Sequence, residues 1–113
     1  MAEPMTIRAV VFQDRGWWVA QCLESDLSSS AKDREELIRK LTVQLRLQIT
    51  LDLAKGRQPF ASLPRAPQRF WDMYSAGSAS EEVLPIRGSW LGLFFRAWHW
   101  RPGVQAKLAL ATA

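Results

Sequence analysis

Residues 5–54 constrain the fold of this chain most strongly, because they read as three strands followed by one long helix. Residues 6–13 alternate β-forming side chains between two faces, and residues 17–23 resume that pattern after a turn at Asp14-Arg15-Gly16. Gly16 supplies the positive φ that a tight hairpin turn needs. Residues 27–30 are few and polar, which is typical of an edge strand. The segment therefore predicts a hairpin with a third strand beside it.

One long helix is predicted over residues 34–54. Asp33 is a good N-cap, and Glu36 stands three residues later, as a capping box requires. Lys55 and Gly56 then give a stop signal, a cation followed by a residue that tolerates the left-handed conformation. These signals fix both ends of the helix from local chemistry alone.

Apolar residues recur along this helix at steps of three and four, which predicts a stripe packed on a core. The stripe consists of Leu37, Ile38, Leu41, Leu45, Ile49 and Leu53. We expect the polar residues Arg39, Lys40, Arg46 and Asp52 mainly on the solvated side. Leu47 and Leu51 lie off the stripe, so they either widen the core face or form a second face for a partner.

The second half of the chain is organised differently. Its prolines mark an irregular crossing, after which a short helix is predicted over residues 68–75 with an aromatic side. Residues 75–80 have the composition of a linker. Strands are predicted at about residues 90–100 and 104–111, and the turn-like sequence between them suggests a second hairpin.

These elements together predict an α+β fold. Residues 1–56 form a β-β-β-α unit, and residues 57–113 form an extension, rich in proline and aromatic residues, that packs on the same domain. A chain of 113 residues has the length of one such domain.

Reactive chemistry is sparse in this sequence. The single cysteine, Cys22, sits among strand residues, which favours a small buried hydrophobe over a nucleophile. His99 is the only histidine and has no assignable catalytic partner. Asp14, Glu24 and Asp26 lie near strand ends, where a carboxylate is more often solvated than part of a two-metal site. We therefore expect a protein that is not an enzyme, with no catalytic, cofactor-binding or metal-binding residues and no cofactor.

Two features of the sequence bear on where the protein resides. The first eight residues carry an acidic side chain and no apolar stretch, so no signal peptide is expected. The longest apolar run, residues 90–100, is too short to span a bilayer and is interrupted by Arg96. We expect a cytoplasmic protein with no membrane segment.

The net charge of +4 comes from the second half of the chain. Residues 1–54 hold seven Lys/Arg and eight Asp/Glu, whereas residues 55–113 hold eight Lys/Arg and three Asp/Glu. The basic residues are dispersed, which favours a role in solubilising an aromatic segment over a role in attracting nucleic acid or an acidic partner. The candidate nucleic-acid contacts are Arg87, Arg96 and Arg101.

Six tryptophans make the composition unusual. Trp17 and Trp18 are neighbours on a predicted strand, so they point to opposite faces and cannot both reach one core. A second aromatic run at residues 90–100 is apolar on both faces, which fits core burial, a protein interface or stacking on single-stranded nucleic acid. The candidate interface residues are Trp17, Trp18, Trp90, Phe94, Trp98 and Trp100.

The β-β-β-α order resembles the N-terminal domain of the HicB-type antitoxins over roughly residues 6–56. The matching pieces are Ala9-Val10-Val11-Phe12, Asp14-Arg15-Gly16, Trp18-Val19-Ala20-Gln21-Cys22-Leu23-Glu24, Asp26-Leu27 and Lys32-Asp33-Arg34-Glu35-Glu36-Leu37. The family usually has Gly before the helix cap and Thr or Ser as the cap, where this chain has Ala31 and Asp33. Asp33 keeps the capping chemistry, whereas Ala31 lacks the freedom of glycine at the preceding bend.

The resemblance implies a truncated ribonuclease H-like core that binds and masks a small partner protein, an RNA-cleaving toxin, and that self-associates as a homodimer or a higher oligomer. Many members of the family add a C-terminal DNA-binding unit. A helix-turn-helix needs two capped helices joined by a short turn. Residues 57–113 offer one short helix, so operator binding is not expected. The alternative function is a nucleic-acid-binding module that uses the basic, aromatic second half.

Overall fold

A computed structural model describes residues 5–77, 82–86 and 106–113 of the chain. Within these residues, two helices accompany one mixed sheet of five strands. In chain order the elements are β1 (Met5–Asp14), β2 (Trp17–Cys22), β3 (Ser28–Ala31), α1 (Arg34–Ala54), α2 (Gln68–Ala76), β4 (Glu82–Ile86) and β5 (Ala106–Thr112). The α+β class predicted from the sequence is confirmed.

The strands lie in the order β3-β2-β1-β5-β4. β1 pairs antiparallel with β2, and β2 pairs antiparallel with β3. On its other side β1 pairs in parallel with β5, which carries β4 as an antiparallel neighbour. The last strand of the chain therefore lies directly beside the first.

The sequence predicts a second hairpin from strands at about residues 90–100 and 104–111. The second of these strands is present as β5, Ala106–Thr112, which lies between β1 and β4. Residues 90–100 themselves lie outside the described part of the chain. β4 was missed because it contains Pro85, which has no N–H to donate and which sheets accept at their edges.

The turn between β1 and β2 forms as the sequence predicts. Arg15 has φ 53° and Gly16 has φ 83°, so both central residues of this two-residue loop are left-handed. That geometry matches the right-handed twist of a hairpin, and Asp14 pairs with Trp17 across the loop.

α1 spans the predicted residues because its capping groups bond as expected. The Asp33 carboxylate accepts a hydrogen bond from the backbone N–H of Glu36 at 2.8 Å. Glu35 and Glu36 place negative charge at the positive end of the helix dipole. Gly56, with φ 73°, follows the C-cap residue Lys55.

The main core lies between α1 and one face of the sheet. β1 contributes Ile7, Ala9 and Val11 to it, all at most 1% exposed. The other members of this cluster are Ala20, Cys22, Ala31, Leu37, Leu41, Leu45, Ile49, Phe60, Leu108 and Leu110. The buried residues that β2 and β3 contribute to this cluster, Ala20, Cys22 and Ala31, are small. They leave room for the leucines of α1 to pack on this side of the sheet.

The expectation that Asp52 lies on the solvated side of α1 was wrong. The residue is 0% exposed. Its carboxylate accepts hydrogen bonds from the backbone N–H of Phe60 at 2.8 Å and from Arg57 Nη2 at 3.1 Å. The segment after the helix folds back over this position, so a polar residue of the helix becomes the anchor of a loop. Arg46, also expected in solvent, is half-buried.

α2 covers part of the opposite face of the sheet. The rings of Phe12 on β1 and Phe70 on α2 stack with centroids 6.2 Å apart. Val10, Ala109 and Ala111 lie on this second face and are at most 5% exposed. The sheet is therefore packed between α1 and α2 along its central strands.

Candidate protein-binding surface

Three aliphatic side chains form an exposed line on the outer side of α1. Val43 is 44% exposed, Leu47 is 42% exposed and Leu51 is 45% exposed. Residues spaced by four lie above one another on a helix, so these three form one continuous ridge, called here the α1 ridge. An isolated exposed leucine is ordinary, but three aligned on one helix face are a candidate contact surface.

The α1 ridge is separate from the core side of the same helix. Leu41, Leu45 and Ile49 are each 0% exposed and pack on the sheet. The sequence left two interpretations of Leu47 and Leu51, a wider core face or a second face for a partner. The structure places both residues outside the core. Val43 was not identified from the sequence, although its four-residue spacing to Leu47 was a usable signal.

Basic side chains surround the α1 ridge. Arg39 and Lys40 lie one turn before Val43 and are exposed, and Lys55 is exposed one turn after Leu51. Asp52 is the only acidic residue in the sequence between residues 37 and 57, and it is buried. Glu35 and Glu36 lie one turn before Arg39 and Lys40, so the exposed side of this helix is apolar along its centre and carries charges of both signs at its start.

The hairpin end of the sheet carries the candidate interface residues Trp17 and Trp18. Trp17 is 41% exposed, and the Nζ atom of Lys32 lies 3.9 Å from its ring centroid. Trp18 is half-buried and packs against the core cluster. The two neighbours therefore occupy opposite faces, and only Trp17 is available to a partner. A shallow depression of about 300 Å³ beside it is lined by Asp14, Arg15, Trp17, Val19 and Ser30.

The remaining predicted contact residues are not part of the described structure. Trp90, Phe94, Trp98 and Trp100, proposed for a protein interface, lie in the stretch 87–105. Arg87, Arg96 and Arg101, proposed for nucleic acid, lie in the same stretch, as does His99.

A cluster of arginine and aromatic side chains lies where α2 meets the sheet. Glu24 accepts hydrogen bonds from the backbone N–H of Arg8 at 2.8 Å and from its Nε atom at 2.6 Å. The guanidinium of Arg8 lies 4.8 Å from the ring centroid of Trp71, and that of Arg65 lies 4.3 Å from it. Arg69 lies over Phe70 in the same way, at 4.6 Å. The Arg8–Trp71 contact attaches the extension to the sheet, whereas the contacts of Arg65 and Arg69 lie within the extension.

Three of the groups considered for catalysis, Cys22, Glu24 and Asp26, are bonded or unreactive. Burial raises the pKa of the Cys22 thiol from 9.0 to about 12, and the charge of Glu24 adds to the rise. A thiol this far from ionisation is a poor nucleophile at neutral pH. Glu24 is paired with Arg8, and Asp26 accepts a hydrogen bond from the side chain of Gln21 at 2.8 Å. Within residues 5–77, 82–86 and 106–113, no three His, Cys, Asp or Glu side chains are grouped as a metal site requires.

Neither of the two described helices is both long enough and apolar enough to cross a membrane. A scan against protein-family models finds no family that matches this chain, and searches of curated proteins and of solved structures find no match either. Arguments about function therefore depend on the surfaces described above.

Proposed function

We propose that the chain is a non-catalytic protein-binding domain of the HicB antitoxin type, which binds a small partner protein and masks its working surface. The partner implied by the resemblance is a small RNA-cleaving toxin. The α1 ridge carries this proposal, because it is an aliphatic surface that the fold leaves exposed on its longest helix.

The layout of the first three strands and α1 supports the same proposal. β1, β2, β3 and α1 follow one another within residues 5–54, in the order on which the resemblance to the antitoxin domain rests. Three polar residues in this part are already engaged in hydrogen bonds that stabilise the fold. Asp33 caps α1, Asp52 holds the following loop, and Glu24 is bound to Arg8.

The size of the α1 ridge indicates how much of a partner it could hold. Complete burial of a leucine or valine side chain is worth roughly 1.5–3 kcal/mol, so covering the exposed part of each ridge residue is worth about 1 kcal/mol. A micromolar complex requires about 8 kcal/mol, well above the total for three such residues. The α1 ridge is therefore the centre of a larger contact surface, to which neighbouring charges must contribute.

Co-purification tests the proposal directly. The full chain, tagged and expressed in its own host, should recover a small protein that cleaves RNA, and adding the chain should stop that cleavage. Leu47→Asp should release the partner, whereas Ser75→Asp, which adds the same charge at an exposed position of α2, should retain it. Recovery of no small protein, or of one whose activity the chain leaves unchanged, rejects the antitoxin role. A mass measurement of the purified chain tests the proposed self-association.

A second candidate function is nucleic-acid binding on the other side of the sheet. Arg65 and Arg69 lie over the rings of Trp71 and Phe70, so basic and aromatic groups are adjacent on α2 and the segment before it. Binding to phosphates weakens steeply with salt. Weak association with RNA and DNA that does not change with salt would exclude this alternative.

A further inference from the structure

We propose that α2 is a displaceable cover on the second face of the sheet, which leaves that face and returns to it while β1, β5 and α1 stay folded. The inference goes beyond the proposed function, because the α1 ridge lies on the opposite side of the sheet. It rests on four features of α2: how shallowly it is seated, how little stabilises the helix itself, what its docked state costs, and where the chain beside it is fixed.

α2 covers the sheet without burying any of its own residues. None of the residues Gln68–Ala76 is buried, whereas Leu41 and Leu45 of α1 are each 0% exposed. The sheet beneath α2 is nevertheless closed to solvent, since Val10 is 0% exposed. Lifting α2 therefore takes no fully buried side chain of the helix out of a core, and segments with few buried contacts are the ones that open locally.

The helix has little stability of its own. α2 has nine residues, and isolated helices shorter than about 12–15 residues are marginal in water. Its N-cap position is Pro67, which makes no side-chain capping hydrogen bond, whereas the Asp33 carboxylate caps α1 at 2.8 Å. α2 is therefore helical because it is docked, and it leaves the sheet as one cooperative unit.

Two aromatic contacts hold α2 against β1. Phe70 stacks on Phe12 with ring centroids 6.2 Å apart, and the guanidinium of Arg8 lies 4.8 Å from the ring centroid of Trp71. Arg8 is also paired with Glu24 at 2.6 Å, and both members of this ion pair lie outside α2. Departure of α2 therefore removes stacking contacts but leaves the charge of Arg8 compensated.

The docked state carries an unfavourable term at Trp71. The indole Nε1 atom is buried and finds no hydrogen-bond acceptor among the described residues. A buried N–H without a partner has lost its hydrogen bond to water and gained none in return. Lifting α2 returns this N–H to water, so a group at the centre of the contact favours the open state.

The chain on the N-terminal side of α2 is fixed, which places a hinge next to the helix. The carbonyl oxygen of Pro64 accepts a hydrogen bond from the N–H of Asp26 at 2.7 Å. The N–H of Ala66 donates to the carbonyl oxygen of Leu23 at 3.0 Å. Pro67 follows with φ −55° and ψ 150°, and α2 begins at the next residue. A change in ψ at Pro67 therefore lifts the helix while the loop before it stays in place.

Gly77 sets how closely the other end of α2 approaches the sheet. It is the C-cap residue and has φ −74°, a value that any residue adopts. A Cβ atom at this position would lie 3.0 Å from the carbonyl oxygen of Thr112 and 3.4 Å from the Cβ atom of Ala111, both on β5. A methyl group added here therefore pushes α2 away from β5 without straining the backbone, so Gly77→Ala is a specific means of opening the cover.

Opening of α2 enlarges the apolar surface on this side of the domain. Val10 and Phe12 lie on the second face, and Val19 is paired with Phe12 across the hairpin. Val19 and Trp17 already line the shallow depression at the hairpin end. With α2 lifted, the apolar surface extends from Trp17 across β1 to Ala109 on β5. The position of α2 therefore decides how much apolar surface the domain presents to solvent.

Thiol labelling at two adjacent positions of β1 tests this inference. In the full chain carrying Cys22→Ala, Val10→Cys places a thiol under α2, and Val11→Cys places one under α1. Both original residues are 0% exposed. A disulfide reagent should label Val10→Cys about tenfold or more faster than Val11→Cys, because the cover opens more often than the core. Low urea should accelerate labelling more steeply at Val11→Cys, since opening of α2 exposes less surface than unfolding of the chain.

Two variants of the cover supply the second part of the test. Phe70→Ala removes the stack on Phe12 and should raise labelling of Val10→Cys about tenfold. Gly77→Ala, which opposes the close approach to β5, should act in the same direction. Neither change should alter the rate at Val11→Cys. The matched control is Ser75→Ala, at an exposed position of α2, which should raise the rate at neither position.

Three results overturn the inference. Equal labelling of Val10→Cys and Val11→Cys, or the same dependence on urea at both, means that α2 leaves the sheet only when the whole chain unfolds. Equal acceleration of both positions by Phe70→Ala makes α2 part of the common core. If neither Phe70→Ala nor Gly77→Ala has an effect, the reagent reaches Val10→Cys without movement of α2. Circular dichroism checks that each variant retains its fold before labelling.

Discussion

The Nζ atom of Lys40 donates a hydrogen bond to the carbonyl oxygen of Ser30, 3.2 Å away, and so connects the outer side of α1 to the outermost strand β3. Ser30 belongs to a strand of four residues, and a neighbouring backbone could otherwise pair with it. The ammonium group occupies one of the acceptors that such a backbone would need. The contact is therefore a device against pairing of the edge strand as well as a link between elements.

Lys40→Met tests this protective role. The free energy of unfolding should change by less than about 0.5 kcal/mol, because the side chain is exposed. Association of the chain with itself should increase with concentration, since the β3 edge gains a free acceptor. Analytical ultracentrifugation measures this association. Arg39→Met removes the same charge without freeing Ser30, and equal association of the two variants would contradict the role assigned to Lys40.

Leu45 and Leu47 give a matched pair that tests the two sides of α1. Leu45→Ala should lower the free energy of unfolding by about 2–5 kcal/mol, because Leu45 is fully buried and its loss leaves a cavity. Leu47→Ala should lower it by only about 1 kcal/mol, since Leu47 is 42% exposed and lies outside the core. Urea unfolding measures both. Similar losses would mean that the α1 ridge is covered in solution.

Asp52→Asn should destabilise the chain by about 1–3 kcal/mol, because an amide of the same shape cannot accept at both oxygens and loses the charge-assisted bond to Arg57. The loop at residues 57–60 should loosen first, and faster hydrogen exchange at the Phe60 N–H would report it. Asp14→Asn, the same substitution at an exposed position, should leave stability within about 0.5 kcal/mol. An unchanged Phe60 exchange rate in Asp52→Asn would show that the carboxylate does not hold the loop.

The raised pKa of Cys22 predicts that the stability of the fold declines at alkaline pH. Its pKa is raised from 9.0 to about 12 in the folded chain, so the unfolded chain loses this proton first as pH rises. The contribution of the neutral thiol to stability is complete below pH 9 and declines between pH 9 and about 12. Cys22→Ala should remove that part of the decline, which urea unfolding at a series of pH values measures. Parallel curves for the two proteins would contradict the assignment.

Thiol labelling gives an independent check on the same residue. At pH 8 a disulfide reagent should react with the folded chain far more slowly than with the chain in urea, because only the unfolded thiol is accessible and ionisable. Rapid labelling of the folded chain would show that the core opens around β2.

Local signals account for the parts of the fold that were predicted correctly. The Asp33 cap, the Gly56 stop and the Arg15-Gly16 loop each depend on residues close in sequence, so the bounds of α1 and the hairpin could be derived directly. The environment of Asp52 could not be derived, because it depends on Phe60, which folds back in an unusual conformation with φ 66°. β4 was hidden by Pro85, and the position of β5 depends on pairing with the far end of the chain.

The candidate surface was predicted only in part, for a related reason. Leu47 and Leu51 were separable from the core stripe by their spacing, yet no local signal decides whether a second apolar side of a helix is covered. Trp17 and Trp18 were correctly placed on opposite faces, because strand alternation is strict. Which of the two remains exposed depends on where α1 packs on the sheet, and that is set by the whole arrangement of the core.

The parallel pairing of β1 with β5 has a consequence for how the chain reaches its folded state. Ile7 lies opposite Leu108, and among the described strands β4 pairs with β5 alone. The ends of a very long loop must therefore meet before the centre of the sheet is closed, which slows folding relative to a sheet built from neighbouring strands. During synthesis, the hairpin and α1 are made before β5, so one side of β1 stays unpaired until β5 follows. In that interval β1 presents an unpaired edge, and unpaired strand edges make folding intermediates prone to aggregate.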